Sequence, residues 1–576
     1  MQSRHSGLTS QTHTAFRETP SLKEVVLVGL GYLWLSVDQA IPLLRKLGDV
    51  FPGGIGDPLP QAWQIAWGGH ALVNRLGSYW DANQYWPLHD TLAFSDSLSG
   101  YAPLGLIGTG PHAATIRYNL TYIIAWALPA FGAYLLARML SMPLGPSLVV
   151  GVAYCYAPWR LGQAGHLHVL SEGGIPLSLA LFIGGVRFER WKLILAGSVV
   201  AAWQITIGFS LGVPFLYLLF VLAATTLAVP SIRRTALRTP AMRRSTILGA
   251  MLVCLAATTF SLPYMRVLQT LPEAQRSAAM VYRWSPPASS FLVASDKNLL
   301  WGGPTSRFAG AVPNTRDERS LFPGVVAILL AAVGMGWGAW ARRRRFALAG
   351  STAFCALLSL GFGPSGWRSL LPYRVAFSVF PGWDASRTPG RLTALTSLGI
   401  ALLAGLGASV LLSRLLSRHR GALAPVLAVL LCVLLVAEGT PIQVPTVPSP
   451  RSPFSNSMRL EGPILELPAS QGNNRSYLLW STQAFPNLVN GRSSVEPRYF
   501  NTMLQGIRKF PSLDALTLLR RKGVRTVLVH RDAVRAKSPE VRLLGPVLPT
   551  GASLPPWVSR SRSGELDIYR MSQHSK

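Results

Sequence analysis

Long apolar segments recur along most of the 576-residue chain, and they constrain its fold more than any other feature. A helix of about 20 apolar residues crosses the hydrocarbon core of a bilayer, and shorter or tilted ones are accommodated. With 49% hydrophobic and 14% charged residues, the sequence predicts an α-helical polytopic membrane protein with about eleven transmembrane helices. The segments lie at about 24–44, 115–137, 146–159, 173–187, 193–208, 211–229, 246–264, 321–341, 346–363, 392–413 and 422–438.

Basic residues concentrate in every second loop between these segments, where Glu189 is the single acid. Such loops face the cytoplasm. The N-terminal tail, residues 1–22, is then cytoplasmic, and the first apolar segment has no small-residue cleavage site after it, so we expect a retained span. The first outer loop at 47–114, the outer loop at 265–320 and everything after 440 are then outside. The basic sets are Arg187, Arg190 and Lys192; Arg233, Arg234, Arg238, Arg243 and Arg244; Arg342–Arg345; and Arg414, Arg418 and Arg420.

The chain carries 54 Lys and Arg against 24 Asp and Glu, a formal net charge of +30. Membrane topology alone produces such an excess in short loops, and no nucleic-acid-binding motif accompanies it, so we expect no nucleic-acid partner. The four cysteines all fall inside apolar segments, where they act as small hydrophobic residues. They indicate neither a disulfide framework nor a metal cluster.

The pattern changes after the transmembrane region at 23–440. A Pro-rich linker, TPIQVPTVPSP at 440–450, leads into a small extracytoplasmic α/β domain at 441–576. In it PILELP, SYLLW, TVLVH and ELDIYRM are typical of strands, and LDALTLLRRKG of a helix that ends at Gly523. The order of the strands cannot be read from this pattern.

The first outer loop contains an acidic, Trp-rich stretch, 49–96, whose five carboxylates face a single cation, Arg75: Asp49, Asp57, Asp81, Asp90 and Asp96. Asp57 directly precedes a predicted helix and could simply cap it. That helix would place Trp63, Trp67, His70 and Asn74 on one face and Leu59, Ala62, Ala66, Val73 and Leu76 on the other. We expect it to lie in the membrane interface, either as an aromatic belt alone or as part of a site.

The short outer loop between the third and fourth apolar segments combines residues that suit substrate binding. GHLHVLSE places His166, His168 and Glu172 in a short outer loop, where they could contact a substrate, hold a metal ion on an extended backbone, or satisfy helix ends.

The loop before 392–413 carries arginines that can clamp a phosphate bidentately, or can snorkel and bind anionic headgroups. These are Arg368, Arg374, Arg387 and Arg391, with one acid, Asp384. Tyr282, Trp284 and Trp301 of the long outer loop could line a groove or pack on the membrane.

GDPLPQAWQIAW followed by WDANQYWPLHDTLAFSD resembles the first extracytoplasmic loop of bacterial GT-C-type membrane glycosyltransferases and their uncharacterised relatives. The resemblance extends more weakly to GHLHVLSEGGIPL, ERSLFPG, SRTPGRL and LLRRKGVRTVLVH. It implies a polyprenyl-phosphate-linked sugar as donor, a location in the bacterial inner membrane, and contacts with membrane lipid. The acceptor would be a glycan, lipid or protein of the envelope.

In the resemblance, Asp57 matches the position of the catalytic acidic residue, and a carboxylate there would take the proton of the acceptor hydroxyl. Asp81 and Asp96 would be a metal ligand or hydrogen-bond acceptors for substrate, or else turn and cap residues. Trp63, Trp67, His166, His168 and Glu172 are the further candidates for substrate contact, and Arg387 and Arg391 for the donor's phosphate. No cofactor is certain, and a divalent metal is left open.

Two other classes compete with a transferase. A transporter or flippase of envelope lipid or polysaccharide needs ionisable residues within spans, and only Asp38 and Glu438 qualify, both near predicted outer ends. A non-catalytic envelope assembly protein would leave the carboxylates of the first loop scattered. The sequence does not show the sugar, the acceptor or the oligomeric state.

Overall fold

The computed structural model describes residues 19–310, 316–417, 423–443, 446–454, 460–535 and 554–572, apart from the side chains of Asp38, Gln39 and Ser417. Within it the chain divides into two compact units. The first unit comprises Met1–Leu44, Thr121–Thr259 and Arg276–Val444, and the second Arg45–Leu120, Phe260–Gln275 and Pro445–Lys576. The predicted domain bounds stay a prediction. In the observed division, the C-terminal region is grouped with most of the predicted first outer loop.

The α-helices of eight residues or more are numbered in chain order. They are α1 Leu22–Gln39, α2 Pro58–Asn74, α3 Gly110–Met139, α4 Leu144–Cys155, α5 Gly174–Arg187, α6 Trp191–Ile207, α7 Phe209–Ala228, α8 Pro240–Thr270, α9 Val325–Trp337, α10 Arg342–Ser359, α11 Pro372–Val379, α12 Thr393–Ser417, α13 Leu423–Glu438, α14 Gln471–Ser481, α15 Arg498–Gly506 and α16 Leu513–Arg521.

Every predicted apolar segment lies largely on one of these helices. Helical stretches long and apolar enough to cross a membrane are Gly110–Met139, Leu167–Arg187, Phe209–Ala228, Pro240–Thr270 and Pro389–Leu416, and α4, α6, α9 and α13 are shorter apolar helices. The count of eleven spans stays a prediction. Arg342–Arg345, expected in a loop, instead form the first turn of α10.

In the first unit, α9 packs against α12 through glycines. A Cβ on Gly334 would overlap the carbonyl oxygen of Leu403, and one on Gly407 would overlap that of Leu330. Small residues of this kind let two helix backbones approach closely.

The second unit contains the strands β1 Val50–Pro52, β2 Thr446–Pro448, β3 Ile464–Leu467, β4 Thr526–His530, β5 Val558–Ser563 and β6 Leu566–Met571. β1 pairs antiparallel with β2 and so joins the first loop to the C-terminal region. The other four strands form one sheet in the order β3-β4-β6-β5, in which β3 is parallel to β4 and the remaining pairs are antiparallel.

Two strand predictions need correction. SYLLW lies in helix α14, where the Ser470 hydroxyl accepts a hydrogen bond from the Asn473 backbone N–H and caps the helix. The predicted strand is therefore wrong: the segment is helical, and its N-cap, Ser470, lies six residues before SYLLW. Strand β5 was not predicted, because five of its six residues, in VSRSRS, are polar and exposed.

Candidate functional site

Asp57 occupies the N-cap position of α2, before a proline at the first helical residue. Proline is favoured there because the first helical N–H has no partner within the helix. Asp57 has φ −75° and ψ −24°, and its side chain makes no capping hydrogen bond. The half-buried Asp57 carboxylate therefore does not accept a capping hydrogen bond, which was the structural alternative to a catalytic role.

The tryptophans of α2 are core residues of the second unit. Trp63 and Trp67 are 0% exposed, and they lie in one apolar cluster with Leu478, Leu528 and Ile568. Trp63 Nε1 donates to Asn83 Oδ1 at 2.9 Å, and Trp67 Nε1 donates to the Tyr79 carbonyl at 3.0 Å. Direct substrate contact by either indole is incompatible with this packing.

The opposite face of α2 is buried as well. Leu59, Ala62 and Ala66 are at most 2% exposed, and only residues near the end of the helix, such as Val73, reach the surface. The expected interfacial helix is therefore wrong, because α2 is covered on both faces rather than on one.

Asp81 and Asp96 have different surroundings in the same unit. Asp81 Oδ1 accepts a hydrogen bond from the Asp90 backbone N–H at 2.8 Å, and Asp81 Oδ2 lies 3.3 Å from His89 Nδ1. These contacts give Asp81 the role of a turn residue, which was the structural alternative to a role in substrate binding. Asp96 is 9% exposed, and its backbone carbonyl accepts from Gln64 Nε2 of α2 at 2.8 Å. Among the described residues no three His, Cys, Asp or Glu side chains are arranged to hold a metal ion.

In the first unit, a buried ion pair joins two of the segments that the sequence singled out. Arg391 Nη2 lies 2.6 Å from Glu318 Oε1, and Arg391 Nε lies 3.2 Å from the same oxygen. The side chains are 13% and 9% exposed, respectively. Glu318 is the first residue of ERSLFPG, and its role as the partner of Arg391 was not predicted.

Both predicted histidines reach this ion pair. His168 Nε2 lies 2.9 Å from Arg391 Nη1. Since arginine can only donate, His168 Nε2 must be the acceptor, which assigns its proton to Nδ1. His166 Nδ1 lies 3.0 Å from Gln163 Oε1, and His166 Nε2 lies 3.8 Å from Glu318 Oε1. We call these five residues, Gln163, His166, His168, Glu318 and Arg391, the Glu318 cluster.

Two glycines allow the segments of the Glu318 cluster to meet. A Cβ on Gly162 would lie 2.6 Å from the Asp317 carbonyl oxygen, and one on Gly390 would lie 2.6 Å from that of Glu318. Real Cβ atoms do not come this close, so the backbones touch only because both residues lack a side chain.

The charge state of Glu318 follows from two opposing effects. Burial raises the pKa of its carboxyl group, but the positive charge of Arg391, with smaller contributions from His166 and Gln163, outweighs burial and lowers the pKa to about 2. Glu318 is therefore ionised at neutral pH and offsets the charge of Arg391.

Glu172 is not the carboxylate that meets the two histidines. Its side chain is fully buried and forms an ion pair with Arg160, which is also fully buried. Arg160 donates to the carbonyls of Ala125 and Leu170 and lies over the ring of Trp126. Glu172 therefore has a structural role, since its ion pair with Arg160 holds the segment that carries His166 and His168. Its burial contradicts the prediction that it contacts substrate.

Arg387 and Arg391 point to different partners. The guanidinium of Arg387 lies over the ring of Trp284, with 5.3 Å from its Cζ to the ring centroid. Trp301, a second aromatic residue of the same predicted outer loop, donates from Nε1 to Glu438 Oε1 at 3.2 Å. Each of these tryptophans therefore has a partner within the first unit.

No model of a protein family and no curated protein matches the sequence. Among solved structures, the mycobacterial arabinofuranosyltransferase AftD is similar over 97% of this chain, with a TM-score of 0.56 and 14% identity. This chain covers 40% of AftD. The apo oligosaccharyltransferase of Archaeoglobus fulgidus is similar over 90% of this chain and 72% of its own, with a TM-score of 0.47 and 13% identity.

At such identity, the likeness to AftD establishes a shared fold. The relationship to GT-C-type membrane glycosyltransferases that the first loop indicated is thereby confirmed at the level of the fold. Together with the apolar helices, it makes this chain a multi-pass membrane protein.

Proposed function

We propose that this chain, which shares its fold with AftD, is a membrane glycosyltransferase. It would move a sugar from a polyprenyl-phosphate donor to a cell-envelope acceptor on the outer side of the bacterial inner membrane. The observation that carries the proposal is the position of Asp57, a half-buried carboxylate directly before the first residue of the buried helix α2.

In the proposed reaction, Asp57 takes the proton from the acceptor hydroxyl as that oxygen attacks the anomeric carbon of the donor sugar. A new carbon–oxygen bond forms, and the bond between the anomeric carbon and the phosphate oxygen breaks. The lipid phosphate leaves with the bonding electrons, and cationic side chains stabilise the charge that it gains.

The second unit supports such a base by holding α2 rigidly. Trp63 and Trp67 are buried along the helix, and each indole N–H has a hydrogen-bond acceptor in the segment 79–83. A catalytic group must be held within about 0.5 Å of its productive position, which packed helices achieve better than loops.

Arg387 and Arg391 remain our proposed contacts to the donor's phosphate. Arg391 is held by Glu318 on its Nε and Nη2 edge, so it would act from a fixed position. His166 and His168 adjoin this pair, and we retain them as proposed substrate contacts.

A transporter is the second candidate function. One of the two carboxylates that would favour it, Glu438, has a structural role in this fold. Glu438 accepts hydrogen bonds from the backbone N–H groups of Val325 and Val326, at 2.7 and 2.9 Å, at the start of α9. A carboxylate there complements the positive end of the helix. Asp38, the other residue that would favour transport, lies with its side chain outside the described residues.

A panel of polyprenyl-phosphate sugars, supplied to the purified protein in lipid nanodiscs, tests the transferase. We expect Asp57→Asn to lower the transfer rate by about 10²–10⁴-fold, the usual contribution of a general base. Asp49→Asn is the matched control, because Asp49 is an exposed carboxylate of the same loop. Transfer by Asp57→Asn at the wild-type rate would show that Asp57 is not the base.

A further inference from the structure

Three arginines from distant parts of the first unit converge on one short stretch of backbone, residues 283–286. Arg319 Nη2 donates to the Arg283 carbonyl at 3.0 Å. Arg368 Nη2 donates to the carbonyls of Ser285 and Pro286, at 3.1 and 3.3 Å. Arg387 lies over the ring of Trp284. Since a chain advances at most about 3.6 Å per residue, these contacts fall within roughly 11 Å of backbone.

Arg319 and Arg368 lack a carboxylate partner among the residues that the structure describes. The nearest candidate in sequence, Glu318, is committed to Arg391. Both guanidinium groups are half-buried, and the Nε–H of each is buried without an acceptor in the described chain. Burial lowers the pKa of Arg319, and the positive charge of Arg368 lowers it further, which agrees with two like charges placed close together.

Half-buried like charges are costly unless an anion offsets them. Arginine forks bind phosphate oxygens bidentately, and several arginines can surround one tetrahedral group. The surface beside Arg368 is apolar, because Trp367 and Leu370 are 57% and 84% exposed. Such a surface suits a phosphate that is attached to a hydrocarbon chain.

We propose that Arg319, Arg368 and Arg387 form a binding site for the phosphate group of a lipid. Arg319 and Arg368 differ from Arg391, a proposed phosphate contact whose charge Glu318 offsets. That the bound lipid is the sugar donor rests on the proposed function. That the site binds a lipid phosphate does not depend on it.

Gly390 lies close to both the new site and the Glu318 cluster. A Cβ on Gly390 would lie 2.6 Å from the Glu318 carbonyl oxygen and 3.2 Å from Pro286 Cγ. Gly390 thus lies against both the carboxylate segment of the cluster and the stretch that the arginines bind. A phosphate at the arginines would therefore be next to the Arg391 segment.

The test measures the affinity of farnesyl phosphate for the full-length protein in phosphatidylcholine nanodiscs. We expect Arg319→Gln and Arg368→Gln each to weaken binding at least tenfold. Substitution by Lys should weaken binding less, because Lys keeps the charge and loses the fork. The matched control is Arg307→Gln, at an exposed position of the first unit, which should bind as the wild type does.

Adding phosphatidylglycerol to the nanodiscs distinguishes the two sources of the phosphate. Competition with farnesyl phosphate would assign the site to phospholipid headgroups, and absence of competition would assign it to isoprenyl phosphates. Either result supports the site. If a folded double variant, Arg319→Gln with Arg368→Gln, binds within twofold of the wild type, the site does not exist. Should that variant unfold, the double Met variant, Arg319→Met with Arg368→Met, replaces it under the same criterion, because Met also removes both charges.

The Asp57→Asn variant separates this inference from the proposed function. It should bind farnesyl phosphate normally while losing transfer. Normal binding by the arginine variants would overturn the site and leave the transferase standing. Undiminished transfer by Asp57→Asn would overturn the assigned base and leave the binding result standing.

Discussion

The guanidinium of Arg391 and the carboxylate of Glu318, 73 residues apart in the chain, meet at 2.6 Å in the first unit with little exposure to solvent. The attraction between the two charges of a buried ion pair stabilises the fold only while both charges are present. Its dependence on pH and on each partner can therefore be tested directly.

We expect the pair to make the thermal stability of the protein sensitive to acid. The pKa of Glu318 in the folded state, about 2, lies below its usual value of 4.5. The stabilisation is therefore fully present above about pH 4.5 and is lost as the pH falls towards 2. By linkage this shift corresponds to about 3 kcal/mol. Glu318→Gln should lower the unfolding temperature at pH 7 and flatten its pH dependence between 4.5 and 2, whereas Glu461→Gln, at an exposed position, should change neither.

Removing Arg160 should destabilise the first unit strongly. Arg160→Met leaves the fully buried Glu172 carboxylate without its partner, and loss of one member of such a pair costs about 3–5 kcal/mol. The double variant, Arg160→Met with Glu172→Leu, should recover most of that loss, because neither charge remains. Thermal unfolding of the purified single and double variants measures the coupling. Additive losses would show that the two side chains do not interact.

Trp63→Phe should destabilise the second unit. It removes the N–H that Asn83 Oδ1 accepts at 2.9 Å in a buried position. An unsatisfied buried acceptor costs about 1–3 kcal/mol. Limited proteolysis of the C-terminal region should become faster than in the wild type. Trp367→Phe is the control for the same chemical change at an exposed position, and an equal effect there would contradict a specific role for the buried hydrogen bond.

Gly390→Ala should disturb the Glu318 cluster and the arginine site together. The added Cβ would collide with the Glu318 carbonyl oxygen, 2.6 Å away, and overpacking of this kind costs about 1–3 kcal/mol. We expect a lower unfolding temperature and weaker binding of farnesyl phosphate. Gly350→Ala, inside α10 where a Cβ would meet nothing within 4 Å, should neither lower the unfolding temperature nor weaken binding, because Ala favours the helix more than Gly does. Wild-type behaviour of Gly390→Ala would mean that the two segments are free to separate.

The sequence alone determined the helical class of this protein and the approximate position of its long apolar helices. Hydropathy is a local property of each segment, so it is readable without knowledge of neighbours. The first loop also indicated its likeness to a known fold through local motifs. Local reading failed for SYLLW, where the helix signal, the Ser470 cap, lies outside the apolar run.

Only the tertiary structure decided which charged residues meet. His166 and His168 were expected to act with Glu172, four residues after His168, but the carboxylate near them is Glu318, about 150 residues later. Burial of Trp63 and Trp67 likewise depends on the C-terminal sheet, which begins almost 400 residues after α2. Such contacts depend on which backbones approach, as at Gly390 and Gly162, and one sequence does not record that approach.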